Sequence, residues 1–258
     1  MKIQQIRNAT VKISFAGKFF LIDPMFAPMK FFPPLQNKRW PLVPLPMDPQ
    51  DIIKDVDVII ITHCHIDHLD EFALNILPKD KIMFVQDEID AAFLQKHGFY
   101  NLTILSEKGI DIDGIKLYKT KCRHGERSLA EPLYNALNMR YESMGIVFEH
   151  ACEPTLYLAG DTVWCDFVQQ SLDRFKPDVV ILNAAGAWLP QCGFIIMNES
   201  DILSLHEYMP QTRLIASHMD CVGHATVSRA DLKKFASDHK FDIATPLDGE
   251  TLMLNRLR

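Results

Sequence analysis

Seven residues constrain this chain more than any others: Thr62-His63-Cys64-His65-Ile66-Asp67-His68, which follow the apolar run Val58-Ile59-Ile60-Ile61. Four consecutive β-branched residues read as a strand buried on both faces. Side chains of an extended chain alternate with period two, so His63 and His65 fall on one side as the strand runs into a tight loop. Asp67 and His68, past the bend, can face a second point a few ångströms away. Crowding three imidazoles and a carboxylate beside a buried strand is costly unless something binds there.

The rest of the chain alternates strand and helix signals. Val11–Phe15 and Lys18–Ile22 flank an Ala16-Gly17 turn and predict a hairpin. Residues 24–49 hold eight of the fifteen prolines with Phe26, Phe31, Phe32 and Trp40, so they form neither a central strand nor a helix. Two readings stand for this stretch: a structural loop packing aromatics over the sheet edge, or an apolar lid or substrate wall. Asp48-Pro49, Asp70, Asp87, Asn198 and Ser228 are N-cap signals, predicting helices to about Lys54, Ile76, Gly98, Tyr208 and His239, and a further helix is expected over 166–175. Strands are expected at 57–61, 82–85, 101–105, 110–113, 115–120, 145–150, 155–159, 178–182, 214–216, 241–245 and 251–255. Residues 121–140 read as a polar loop, and His150 as a solvent-facing residue closing a hairpin. Two β-rich halves result, each with helices after its strands. With no linker, low-complexity stretch or sequence repeat, a single domain over 1–258 is expected.

Hydrophobic residues at 48% and charged residues at 23% suit a globular core. A formal net charge of -6 argues against a general polyanion binder, since nucleic-acid domains usually show a basic field. No apolar run reaches membrane-spanning length, and residues 1–7 lack a signal peptide's apolar core, so a cytoplasmic location is expected. The six cysteines form no C-x-x-C pair, which argues for free buried thiols. Cys64, Cys122 and Cys221 do neighbour ligand-type residues, which leaves oxidation or adventitious thiolate binding open as the lesser reading.

Three isolated ligand-type residues fall just beyond predicted strands, as the opening motif does: His124, Asp161 and His218. Strand ends in layered α/β folds converge on one rim, where sites collect. Imidazole and carboxylate without thiolate suit zinc, and also manganese or iron. Two metals about 3.5–4 Å apart can share a hydroxide that attacks at neutral pH without a serine or cysteine nucleophile. A closed structural site has no need of so many ligands.

Thr62–His68 matches the HxHxDH signature of the metallo-β-lactamase superfamily. Together with Leu21-Ile22-Asp23-Pro24, the segment 41–46, Leu158–Thr162, Ser217–Asp220 and Asp248-Gly249-Glu250, it resembles the metal-dependent hydrolase branch related to ascorbate-phosphate lactonase and the phospholipase D that cleaves N-acyl-phosphatidylethanolamines. The resemblance implies a four-layer αββα sandwich with two divalent metals at one edge. It implies His63, His65 and His124 at the first metal, Asp67, His68 and His218 at the second, and Asp161 bridging both. Asp67 would also orient the hydroxide. His224, six residues after His218, resembles a feature of this branch and would stabilise a leaving group or grip an anion, or else orient a ligand; Arg229 belongs to the same question. Arg123 would bind a substrate phosphate unless it is a solvated loop residue. Asn183, Trp188 and Met197 would line the pocket, and Asp23 would stabilise its turn or support a ligand from behind rather than bind metal.

The leading function is therefore a binuclear metal-dependent hydrolase acting on a phosphodiester, ester or lactone of a small molecule, an anionic one if Arg123 takes part. A homo-oligomer is compatible with this reading. A non-catalytic metal-dependent binding or sensing protein on the same fold is the alternative.

Overall fold

The computed structural model describes residues 1–255. Strands β1 (Lys2–Arg7), β2 (Thr10–Phe15) and β3 (Lys18–Ile22) open the chain as an antiparallel meander, followed by a proline-rich hairpin of β4 (Phe32–Leu35) and β5 (Lys38–Trp40). Helices and strands then alternate: α1 (Pro49–Ile53), β6 (Val58–Ile60), α2 (Glu71–Ile76), β7 (Ile82–Val85), α3 (Glu88–Lys96) and β8 (Leu102–Ile104). The second half begins with β9 (Ile110–Ile112), β10 (Ile115–Lys121), α4 (Arg127–Ala136), β11 (Met144–Glu149) and β12 (Leu156–Leu158). It continues through α5 (Asp166–Phe175), β13 (Val179–Asn183), a short hairpin of β14 (Trp188–Leu189) and β15 (Gly193–Phe194), α6 (Glu199–Tyr208), β16 (Arg213–Ser217), α7 (Arg229–Asp238) and β17 (Ile243–Ala244). β18 (Thr251–Met253) returns to pair with β1.

The two halves give two seven-stranded sheets, ordered β18-β1-β2-β3-β6-β7-β8 and β17-β16-β13-β12-β11-β10-β9. In each, three antiparallel pairings give way to three parallel ones, and the parallel strands are joined through helices. The halves thus share an architecture without sharing a sequence repeat.

Strand alternation sorts the core into layers. Val58 and Ile60 of β6 and Val179 and Ile181 of β13 point between the sheets, where they meet Phe15, Phe20 and Phe148. Their neighbours Ile59 and Ile61 pack under α1–α3, and Val180 and Leu182 pack under α5–α7. Each such side chain gains about 1.5–3 kcal/mol from burial, and a one-residue slip would exchange the faces, so register is strongly set. The result is the αββα sandwich.

The helix caps form as their sequences predict. Asp48, Asp70, Asp87, Asn198 and Ser228 each accept a backbone N–H of the first turn, and Ser228 with Asp231 forms a reciprocal capping box. Residues 121–140 differ from expectation. They contain α4, which lacks a side-chain cap and carries Pro132 inside it. Local signals argue against that helix, and burial of Ala130 and Tyr134 against Ala185, Ala187 and Ile195 stabilises it instead. His150 is half-buried rather than solvent-facing, with its Nδ1 accepting the Cys152 N–H at 3.3 Å.

Candidate metal centre

Residues 63–68 follow β6, His124 follows β10, Asp161 follows β12 and His218 follows β16. β10, β12 and β16 run in one direction within their sheet, so their ends open at one edge, against the loop that β6 delivers. The seven residues meet there. Ligand atoms of His63, His65 and His124 lie within 4.8 Å of one another, as do those of His63, His68 and Asp161, and those of Asp67, His68 and His218. Asp161 Oδ2 sits 3.2 Å from His68 Nε2, 3.5 Å from His124 Nε2 and 3.8 Å from His63 Nε2. One carboxylate oxygen therefore faces both groups of histidines.

Four imidazoles are oriented through the nitrogen that points away from the centre. His68 Nδ1–H donates to Asp23 Oδ2 at 2.8 Å, and Asp23 also accepts the Thr62 N–H at 2.7 Å and the Thr62 hydroxyl at 2.6 Å. His63 Nδ1–H donates to Thr62 Oγ1 at 3.1 Å, His65 Nε2–H to the Arg140 carbonyl at 2.6 Å, and His124 Nδ1–H to the Ile195 carbonyl at 2.8 Å. These partners fix each ring's orientation and turn its other nitrogen toward the centre, as metal-binding histidines require. His63 Nε2 and His68 Nε2 are buried with no hydrogen-bond partner. Orphaned imidazole nitrogens gathered around a carboxylate fit a divalent cation, and no cysteine joins any of the three groups among the described residues.

The carboxylates are equally well held. Asp161 follows Gly160, whose φ of +71° suits glycine and where a Cβ would stand 2.4 Å from the Met144 carbonyl oxygen. The Asn183 amide donates to Asp161 Oδ1 at 2.6 Å, leaving Oδ2 to the histidines. His218 adopts a left-handed φ of +61°, with its N–H bound to the Asn8 carbonyl at 2.8 Å and its Nε2 3.1 Å from Asp67 Oδ2. Arg229 braces this loop from outside, bonding Asp220 at 2.9 Å, Asp248 at 2.5 Å and the Pro246 carbonyl at 2.8 Å.

Charge separates the groups. Burial pushes His63 well below the ordinary imidazole range, helped by the neighbouring His68 and His65, and burial with His124 pushes His65 to about 4. Burial acts the same way on His68, but Asp161, Asp23 and Asp67 outweigh it and raise the value well above the ordinary one. Asp161 and Asp67 show the converse: burial would raise them, and the surrounding histidines hold both low. The centre therefore presents ionised carboxylates, as metal ligation needs.

A cavity of about 240 Å³ opens above these residues, with His65, Asp67, His124, Asp161 and His218 in its floor. Pro33, Pro34, Leu35 and Trp40 of the β4–β5 hairpin form one wall, while Phe26, Phe32 and Trp40 pack into the core, so the proline-rich stretch both packs aromatics and borders the cavity. That hairpin rests on Gly223, where a Cβ would meet the Leu35 carbonyl oxygen at 2.2 Å. Tyr134, Leu137 and Met139, from α4 and the turn after it, form the opposite wall. No lysine or arginine lines the cavity among the described residues.

The remaining sequence-predicted residues divide. His224 lines the cavity, is 8% exposed with Nδ1 unpartnered, and is pushed to about 4 by burial, which makes it a neutral imidazole rather than a cationic grip for an anion. Arg123 lies outside the cavity lining: its guanidinium pairs with Asp166 at 2.6 Å and lies over the Phe167 ring. Asn183 holds Asp161 rather than lining the cavity, Trp188 is 37% exposed and is not among the lining residues, and Met197 is buried beneath the outer helices. Sequence reasoning missed Tyr134, because its only signal was a polar segment that did not read as a helix. Cys64, Cys122 and Cys221 are all raised by burial, Cys221 to about 12, so they remain thiols.

A beta-lactamase superfamily domain model matches residues 18–219. The chain belongs to that superfamily. The UPF0173 protein YddR of Bacillus subtilis is 40% identical over 97% of this chain and 99% of its own length. The crystal structure of an isothiocyanate hydrolase from Delia radicum gut bacteria is 39% identical, with a TM-score of 0.94 over 99% of this chain and 100% of that one. A possible metal-dependent hydrolase from Veillonella parvula gives 38% identity and a TM-score of 0.93 over 98% and 99% of the two chains. The superfamily member described here is a metal-dependent hydrolase. The finer kinship with the lactonase and phospholipase D branch rests on the sequence motifs alone. No helix among the described residues is long and apolar enough to cross a membrane.

Proposed function

We propose that this enzyme hydrolyses a small, uncharged, apolar electrophile, an isothiocyanate R–N=C=S, at a pair of divalent ions, with zinc the metal best suited to the donors and manganese or iron the alternatives. His63, His65 and His124 would hold one ion, Asp67, His68 and His218 the other, and Asp161 both. The observation that carries the reading is the cavity itself. Its floor carries the Asp161 carboxylate, whose Oδ2 stands 3.2 Å from His68 and 3.5 Å from His124, and among the described residues its walls are apolar without a cation. A phosphodiester would meet no positive side chain in those walls, whereas an aliphatic or benzyl isothiocyanate would be desolvated by Trp40, Leu35 and Met139. The likeness to the isothiocyanate hydrolase over the whole chain supports the same substrate class.

When bound, the ions would acidify water and polarise the substrate. The chain's own residues do the rest. Asp67 borders the cavity with a 15% exposed side chain, and its carboxylate, held ionised by the surrounding histidines, would accept a hydrogen bond from the attacking water and orient it toward the central carbon. The C=N electron pair would pass to nitrogen, which takes the proton given up by the added oxygen, and neutral His224 in the cavity lining would relay it. The product is a monothiocarbamate, R–NH–C(=O)–S⁻, which on protonation releases carbonyl sulfide and leaves the amine. The β4–β5 hairpin and the α4 wall keep bulk water away from the apolar group.

The test is a substrate panel on zinc-loaded protein: benzyl isothiocyanate, a γ-lactone, p-nitrophenyl acetate and bis-p-nitrophenyl phosphate. The isothiocyanate is expected to give the highest kcat/KM, with amine formed in proportion to its loss. Faster turnover of the phosphodiester would overturn the substrate assignment.

A further inference from the structure

The cavity holds a buried polar group that neither metal binding nor the fold uses. Tyr134 is 2% exposed, and its hydroxyl has no hydrogen-bond partner. The residue lines the cavity from α4. Its ring stacks on His124 with centroids 5.2 Å apart and planes 25° apart, and lies 5.2 Å from His65, so it sits beside two histidines of one ligand group. Nearby Tyr141 makes the contrast: it is also buried, yet its hydroxyl donates to the Gly125 carbonyl at 2.9 Å. A third buried tyrosine, Tyr157, also has an unpartnered hydroxyl, but it belongs to the core beneath the outer helices and does not line the cavity, so Tyr134 is distinguished by its place and not by the missing bond alone.

Packing alone does not explain Tyr134. Phenylalanine would fill the same volume against His65 and His124 without burying a hydroxyl, and an unpartnered buried hydroxyl destabilises a fold. Buried phenols ordinarily find a partner.

We propose that the Tyr134 hydroxyl donates a hydrogen bond to the substrate atom on which negative charge gathers as water adds, which makes Tyr134 a catalytic residue of this site. In an isothiocyanate that atom is the nitrogen or sulfur that receives the displaced electron pair. In an ester it is the carbonyl oxygen. In either case a fixed donor in a water-poor cavity favours the charged transition state over the uncharged ground state. The assignment rests on the hydrolase reading of the cavity, and it does not depend on which electrophile is preferred.

The test compares Tyr134→Phe with Tyr141→Phe in the zinc-loaded protein. Three quantities are measured: metal per chain, melting temperature, and kcat and KM on whichever panel substrate the parent turns over best. Tyr134→Phe should keep its metal and melt no lower than the parent, because it loses an unpartnered hydroxyl. Its kcat should fall roughly 10- to 100-fold, below the 10²–10³ of a dedicated oxyanion donor, with KM within about threefold. Tyr141→Phe should do the reverse, melting lower with kcat within about twofold. Unchanged kcat in Tyr134→Phe overturns the proposal and leaves the hydrolase reading standing. Loss of melting temperature and metal together with kcat also overturns it, because the hydroxyl is then structural. If the parent cleaves an ester and no isothiocyanate, the substrate reading fails while Tyr134 is still tested on the ester. A parent inactive on the whole panel overturns both.

Discussion

The two halves of the molecule contribute to one centre by opposite means. The first half concentrates four of the seven ligand-type residues in the loop between β6 and α2, while the second half delivers His124, Asp161 and His218 singly, from the ends of three strands. The concentrated loop is braced from its own half: Asp23, at the end of the neighbouring β3, ties Thr62 and His68 together. The dispersed residues are braced from afar. His124 leans on the carbonyl of Ile195, Asp161 on Asn183, and the backbone of His218 on Asn8 in the opposite half. A local loop can thus carry its own scaffold in sequence, whereas scattered ligands depend on sheet topology to bring their supports within reach.

Asp161→Ala strikes where the two halves meet. It should remove at least one metal and lower kcat/KM roughly a thousandfold, beyond the 10–100-fold typical of outer supports. Elemental analysis still showing two ions per chain would end the bridging assignment. Asp23→Ala attacks the concentrated loop alone. It frees His68 Nδ1 and the Thr62 N–H in a buried site, and metal affinity measured by chelator competition should fall about 10–100-fold. An unchanged affinity would mean that the β6 strand, rather than Asp23, sets the loop.

Gly223→Ala tests the cavity wall instead of the floor. The added methyl collides with the Leu35 carbonyl and should displace the β4–β5 hairpin, raising KM for an apolar substrate about three- to tenfold while metal content holds. A KM that stays put would separate the hairpin from substrate binding. Arg123→Ala should have the smallest effect, less than about twofold in kcat/KM, because its guanidinium serves an exposed pair with Asp166 outside the cavity. A large rise in KM confined to anionic substrates would return Arg123 to the site.

The same contrast governs what could be read in advance. Thr62–His68 announces itself because four of six adjacent residues carry the chemistry, and Asp70, Asn198 and Ser228 announce their helices because a cap is a local hydrogen bond. His124, Asp161 and His218 were legible only through their places after strand signals. Asn183 was legible as a residue near the site but not in its role, since the donor to Asp161 Oδ1 depends on β12 and β13 lying side by side. α4 was not legible at all: Pro132 and the missing cap argue against it, and its buried face has meaning only against Ala185, Ala187 and Ile195. Tyr134 was hidden with it.

The sequence by itself determined the ligand chemistry, imidazole and carboxylate without thiolate, and the strand and helix alternation of two β-rich halves, to which the family resemblance added the αββα sandwich. Those properties are written in adjacent residues and in periods of two and 3.6. Only the tertiary structure decided that the proline-rich stretch is a cavity wall, that Arg123 stands off the site, that His224 is a buried neutral imidazole, and that a tyrosine without a partner overlooks the centre. Each of these depends on burial and on distances between segments far apart in the chain, and neither quantity is carried by residue order.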